Sequence, residues 1–330
     1  MNHFGRLFSV NIYGESHGGG VGVVVDGVKP GIKLSEEDFT YDLSRRKSGG
    51  LGTTPRIEDD EIIIDSGIFN GYTTGAPISL RFLNKNTRSK DYSNLVKHPR
   101  PSHADFTALC KYDGFNDYRG GGHFSGRITL GIVAAGVIAK KMLEGVKFTT
   151  KITNLGGETD SSKFQEVLRN TVMDKDSVGG IVSICVDGVK IGLGEPYFDS
   201  VESILSHLLF SVGGVKGVEF GTGFKGASMR GSEFNDPIID ENGKTKTNNN
   251  GGINGGISNG NPILINAFVK PTPSIGKSQD TYNLINGKVE KLEIEGRHDA
   301  AIILRAQVVL ESMVAIGLAD LKLISDAYKK

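Results

Sequence analysis

Two stretches, one in each half of the 330-residue chain, share a pattern: 21–31 reads VGVVVDGVKPG and 181–192 reads IVSICVDGVKIG. Each runs from a β-branched apolar strand through Asp-Gly-Val-Lys to a second glycine, and helix-start signals follow. Later in each half an Arg/His/Gly-rich loop opens a long apolar helix, GGGHFSGR at 120–127 and EGRHDA at 295–300. A chain that repeats strand, turn, helix and loop in this order is expected to form two αβ halves sharing one core. The plainer alternative is that Asp-Gly-Val is a common turn met twice.

Strand patterns fall at Gly22–Asp26, Glu61–Asp65, Pro77–Phe82, Gly180–Val186, Gly217–Phe220 and Pro262–Val269. One helix is expected from Ser35, with Asp38 as its capping partner, to about Arg46, and another from about Arg127 to Glu144. A third follows Asp199, with Glu202 completing the cap and Ile204, Leu205, Leu208 and Leu209 inward. The last begins near Ala300 and turns Val308, Val309, Met313, Val314 and Leu318 to the core. No Pro- or Ser-rich linker separates the halves, so 1–330 reads as one α+β domain with halves near 1–150 and 151–330. The run NNNGGINGGISNGN (248–261) has a low-complexity composition, yet Ile253 and Ile257 punctuate it, which suits a loop with buried anchors.

Charge excludes some partners. With 38 basic and 38 acidic residues and no Lys/Arg tract, nucleic acid is not expected. The longest apolar stretch, Ile132 to Ala139, is well short of the ~20 residues of a membrane span. The N-terminus lacks a signal-peptide core, and Cys110 and Cys185 are too few for a disulfide framework. A soluble protein of the reducing cytoplasm is expected. Glycine is the outlier, 46 of 330, about twice the usual ~7%. So dense a use inside an ordered chain points to backbone that approaches something closely.

Four histidines share one kind of frame: His17 in GESHGGG, His103 in HPRPSHAD, His123 in RGGGHFSGR and His298 in EGRHDA. Glycine or proline prevents regular structure there, and arginine or an acid stands alongside. A lone histidine is more often structural, as His207 in the helical SILSHLLFS is expected to be; a repeated frame argues for a site. No His pair has i, i+4 spacing and no HExxH occurs, so no metal is expected. Arg45 and Arg46 close the first helix, where cations are favoured in any case. Arg56, Arg100, Arg119, Arg127 and Arg297 lie in Gly/Pro-rich loops, and grouped guanidinium forks suit a small polyanion. KPTPSIGKS (270–278) follows a strand and offers Thr272 and Ser274 hydroxyls beside Lys270 and Lys277, though it is neither a Walker loop nor part of a GxGxxG motif. The residues alone thus describe an enzyme whose His- and Arg-lined site takes a phosphorylated, carboxylated small molecule.

Taken together, GESHG (14–18), DGVKPG (26–31), RPSHAD (100–105), DYRGGG with SGR (117–127), GVKGVEFG (214–221), GGI with GGIS (251–258), KPTPS (270–274) and GRHD (296–299) resemble the chorismate synthase family, in its order and over nearly the whole chain. The resemblance implies conversion of 5-enolpyruvylshikimate 3-phosphate to chorismate by anti-1,4 elimination of phosphate and the carbon-6 hydrogen, with reduced FMN required. It implies a β-α-β sandwich with an internal pseudo-two-fold repeat, assembled as a homotetramer. By resemblance, His17 is proton donor to the reduced flavin, His103 protonates the departing phosphate, and Asp299 helps the flavin accept the carbon-6 proton. Substrate-binding arginines map onto Arg46, Arg100 and Arg127, with Arg45 and Arg56 beside them. FMN contacts map onto His123, Phe124, Ser125, Gly255, Lys270, Pro271, Thr272, Pro273, Ser274 and Arg297, and Arg46 is also linked to NADPH. Many members carry Arg-Ser at 123–124, Asn-Ala at 213–214 and Pro-Cys at 300–301, where this chain has His-Phe, Gly-Gly and Ala-Ala. Without an appended reductase domain, an external flavin reductant is expected, with NADPH an indirect source. The rival readings are a non-catalytic flavin- or anion-binding protein on the same fold and a metal-dependent phosphatase.

Overall fold

The computed structural model describes residues 2–54, 60–85, 97–294 and 298–328. In the first half the order is β1 (His3–Phe4), β2 (Ser9–Gly14), β3 (Gly20–Asp26), α1 (Glu37–Arg46), β4 (Ile63–Ile64), a small hairpin of β5 (Ile68–Phe69) and β6 (Tyr72–Thr73), β7 (Ile78–Leu83), α2 (Asp105–Lys111) and α3 (Thr129–Met142). The second half runs β8 (Lys147–Leu155), α4 (Phe164–Met173), β9 (Gly180–Asp187), α5 (Val201–Ser211), β10 (Val215–Phe220), α6 (Gly231–Phe234), a small hairpin of β11 (Ile253–Asn254) and β12 (Ile257–Ser258), β13 (Ile263–Val269), the hairpin β14 (Gln279–Asn283) and β15 (Lys288–Leu292), and α7 (Ile303–Tyr328).

Two antiparallel sheets result, ordered β1-β2-β3-β7-β4 and β10-β13-β9-β8. Without β1, the first is β2-β3-β7-β4 and the second, read from its other edge, β8-β9-β13-β10. The order is the same, and α1 and α5 follow equivalent strands, as do α3 and α7. Even the Asp-Gly turns agree. Asp26 Oδ1 accepts from Gly27 N at 2.8 Å and Asp187 Oδ1 from Gly188 N at 2.9 Å, with the glycines at φ 80° and 81°. The repeated sequence is therefore a repeated topology, not a turn met twice.

α3 and α7 lie between the sheets. α3 packs on β2, β3 and β7 and along α7, while α7 packs on β8, β9 and α5. Every residue from Leu130 to Ala139 in α3 and from Val308 to Leu321 in α7 is buried, as befits helices covered on all sides. Glycine allows the close approach. A Cβ on Gly131 would stand 2.8 Å from Gly22 O, and one on Gly136 would stand 2.3 Å from Ser312 Cβ. The fold is the α+β sandwich with an internal repeat that the motifs implied.

Several local expectations need correction. The cap of α5 is Ser200, whose Oγ accepts from Ser203 N at 3.0 Å; Asp199 instead pairs with Arg6 at 2.7 Å. The strand read at Glu61–Asp65 pairs only at Ile63–Ile64. The Asn/Gly-rich run is held: Asp236 accepts from Asn249 N and Asn250 N, and Ile253 is buried. His207 stacks on Phe4, a structural role as expected. Among the described residues no helix is long and apolar enough to cross a membrane.

Candidate functional site

The β2–β3 connection holds Ser16 and His17, both buried. Asn84, just past β7, fixes that connection by donating from Nδ2 to Glu15 O and Gly18 O, each at 2.9 Å. The glycine loop ahead of α3 packs onto it through a 3.1 Å hydrogen bond from Ser16 N to Gly122 O. Gly120, Gly121 and Gly122 have φ of 59°, 83° and 53°, a region side-chain-bearing residues rarely adopt. Space demands glycine too. A Cβ on Gly120 would lie 2.3 Å from His17 Cε1 and 2.4 Å from Nδ1, and one on Gly121 would lie 3.7 Å from His103 Cε1 and Nε2. Consecutive α-carbons are ~3.8 Å apart, so one short length of backbone separates the two imidazoles.

His103 belongs to a second cluster. Its Nδ1 meets Asp105 Oδ1 at 2.6 Å, and Arg100 grips the same carboxylate with Nε and Nη2, each at 2.7 Å. Burial opposes charge on Asp105, but bonds from Arg100 and His103 outweigh it and hold the carboxyl well below its usual range. The 270–274 loop closes on this group: Arg100 Nη1 donates to Ser274 Oγ at 3.1 Å and Lys270 Nζ to Ser102 O at 2.6 Å. Burial, then repulsion from Lys216, pulls the Lys270 ammonium below its ordinary pKa.

The third cluster sits where α1 ends and α3 begins. Arg46, 3% exposed, donates to Thr129 Oγ1 at 2.9 Å and Gly126 O at 2.8 Å. Asp60 bridges Arg46, at 3.6 Å, and Arg127, at 3.0 Å. Arg127 also bonds Leu83 O and, through Nε, Asn84 Oδ1, which ties this cluster to the His17 connection. Asp299 accepts from Thr54 N at 2.7 Å and faces Arg305 Nη1 at 3.2 Å, while Arg305 Nε holds Arg46 O. Burial and the neighbouring Arg305 draw the Arg46 guanidinium down to about 9, still cationic at neutral pH.

Thus His17, His103, Arg46, Arg100, Arg127, Asp299, Lys270 and Ser274 lie in three clusters joined by Gly120–Arg127 and Asn84. Ser125 caps the turn before α3, its Oγ 3.3 Å from Arg127 N. Pro271, Thr272 and Pro273 shape the 270–274 loop, which Ser177 Oγ fastens at Thr272 O. His123 is committed elsewhere, with Nδ1 on Gly14 O and Nε2 on Asn2 Oδ1, and Phe124 is exposed. Gly255 turns the β11–β12 hairpin beside the start of α5, where Val201 N donates to Gly256 O. Arg45 is not brought to Arg46's partners: it binds Glu311 at 2.7 Å and Asp42 at 2.9 Å, beside Lys140. Arg119 is spent on Asp117. Arg56 and Arg297 lie outside the described residues. Among the described residues no His/Cys/Asp/Glu group could hold a metal. The sequence reading missed Asp60, Asn84, Asp105 and Arg305. Only Asp105, inside the RPSHAD motif, carried a local signal.

Comparison with known proteins bears on this arrangement. The family model described as chorismate synthase matches residues 8–323. A protein named chorismate synthase from Chitinophaga pinensis is 55% identical over 325 residues, covering 98% of this chain and 97% of its own. One of the same name from Methanocaldococcus jannaschii is 46% identical over 363 residues, covering 97% and 96%. A solved structure described as the crystal structure of chorismate synthase aligns with a TM-score of 0.75 at 26% identity, over 97% of this chain and 93% of that one.

Proposed function

The chain belongs to the chorismate synthase family, lyases of the last step of the shikimate pathway, and from that premise we propose how its own residues carry the reaction. The substrate is 5-enolpyruvylshikimate 3-phosphate and the cofactor is reduced FMN. What supports this most is the adjacency of His17 and His103 across Gly120–Gly121, with the buried Arg127 at the end of the same loop.

The residues present fit a flavin mononucleotide. The 270–274 loop offers one ammonium and two hydroxyls to a phosphate, and Thr272 Oγ1 is buried with no hydrogen-bond partner among the described residues. Such a hydroxyl costs free energy until a ligand meets it. When bound, the reduced flavin supplies transient electron density to the substrate and takes up the carbon-6 proton.

The leaving phosphate is a dianion, and its departure is eased by fixed positive charge in a site sheltered from water. Arg46, Arg127 and Arg100 supply that charge. His103 gives its Nε2 proton to the phosphate as the C–O bond breaks, a task suited to imidazole, which as a free side chain titrates near pH ~6.5. Asp299, oriented by Thr54 N and Arg305, acts where the C–H bond breaks. His17, buried against Gly120, keeps the cofactor correctly protonated.

One domain of two interlocked halves, a homotetramer, a cytoplasmic location and an external flavin reductant drawing indirectly on NADPH complete the proposal. The test is His103→Ala in an anaerobic assay with chemically reduced FMN. Turnover is expected to fall at least ~10²-fold with substrate affinity little changed; an unchanged rate would refute the assignment.

A further inference from the structure

We propose that Asp105, held by Arg100, is the positioning residue that commits the Nδ1 proton of His103 and leaves Nε2 as the atom that delivers a proton to the leaving group. The inference rests on His103 as that donor.

The local sequence explains the geometry. Arg100–His103 is a tight turn, with His103 N donating to Arg100 O at 3.2 Å. Pro101 stands at its second position, and Ser102, at the third, has φ 61°, as a type II turn requires. The turn sets His103 above the first residue of α2, Asp105.

A carboxylate offers about four acceptor sites, and Asp105 fills all of them. Oδ1 accepts from His103 Nδ1 at 2.6 Å and Arg100 Nη2 at 2.7 Å. Oδ2 accepts from Arg100 Nε at 2.7 Å and Arg100 N at 3.0 Å. So engaged, the carboxylate cannot rotate away, and the ring keeps its proton on Nδ1. Nε2 faces Gly121, the loop shared with His17.

Arg100 has a second effect. Its guanidinium offsets the negative charge of the carboxylate that faces the ring. Arg100 Nη2 also stands 3.0 Å from His103 Nδ1. Among the described residues, Lys270, bonded to Ser102 O, and His17, beyond Gly120, are further titratable groups near this ring. The result is a ring fixed in direction, with Nε2 turned to the loop it shares with His17. In the step itself the Nε2–H bond breaks, the proton passes to a phosphate oxygen, and neutral imidazole remains with Nδ1–H intact.

Two measurements test this. Nitrogen-15 NMR of histidine-labelled, otherwise unaltered protein should find neutral His103 as the Nδ1–H tautomer; the Nε2–H tautomer would overturn the inference without any variant. In Asp105→Asn, the amide forced toward Nδ1 no longer stabilises the imidazolium. Anaerobic kcat with reduced FMN is then expected to fall roughly 10²-fold at neutral pH. The alkaline limb of its pH profile moves down, with partial recovery in Asp105→Glu. Wild-type kcat and pH profile in Asp105→Asn, beside a slow His103→Ala, would overturn the role of Asp105 alone. A His103→Ala enzyme with the wild-type rate would overturn the assignment of His103, and this inference with it.

Discussion

The backbone of Gly120 is pressed against the imidazole of His17, so closely that a methyl group there would stand 2.3 Å from Cε1. His17 is buried and cannot swing into solvent to make room. Gly120→Ala is therefore expected to displace the ring and cut turnover by at least ~10-fold, with a left-handed strain of order 1 kcal/mol in stability. Gly231→Ala is the control: nothing lies within 4 Å of its Cβ position and its φ is not left-handed. A Gly120→Ala enzyme with normal kcat would show that the contact does not position His17.

Asp60 holds Arg46 and Arg127 side by side, and its carboxylate is as buried as they are. Hydrogen bonds to charged groups are worth ~1.5–3 kcal/mol, so Asp60→Asn is expected to raise the substrate KM about 10-fold or more by letting the two cations part. Unchanged KM under reduced-flavin conditions would mean the arginines need no such bridge.

Asp299 sits between a donor on each side, Thr54 N and Arg305. An amide in its place would turn its NH2 toward one of them. Asp299→Asn is expected to slow carbon–hydrogen cleavage by roughly 10²-fold or more, with FMN still bound. Loss of flavin binding instead would make Asp299 a cofactor anchor.

Glu311 carries a stability prediction. Burial opposes its charge, but Arg45 and Lys140 prevail and lower its pKa from 4.5 to about 2. Because the folded value is the lower one, the stabilisation is present in full above about pH 5 and is lost as pH falls through ~4.3 toward 2. The shift corresponds to about 3 kcal/mol. Glu311→Gln is expected to lose about that much at pH 7 and to show a shallower loss between pH 5 and 2, read by urea denaturation across pH. Equal acid sensitivity in both proteins would contradict it.

The sequence made the two central helices plain, because their apolar runs are long and, once both sheets cover them, buried all round. β8 was harder to see. In KFTTKITNL, Lys147, Thr149 and Lys151 face outward and polar residues outnumber apolar ones, so the strand is defined mainly by its pairing with β9. Glycine framing singled out His17, and proline framing His103, as candidates. Asp60 and Asn84 left no such mark, since their partners come from distant segments. Arg45 and Arg46 look equivalent in sequence, yet neighbours on a helix point ~100° apart. One therefore faces Glu311 on α7 while the other reaches Thr129 and Gly126. His103 and Asp105 lay together in RPSHAD, but their contact depends on the left-handed turn at Ser102, which the residue types alone do not announce.

The most direct measurement is turnover of the purified chain under strict anaerobiosis, with 5-enolpyruvylshikimate 3-phosphate and chemically reduced FMN, following chorismate and phosphate together. Equal amounts of both products with reduced flavin, and neither with oxidised FMN, is the predicted result. Tight substrate binding without product under reduced flavin would contradict the account and leave a binding protein on a catalytic fold.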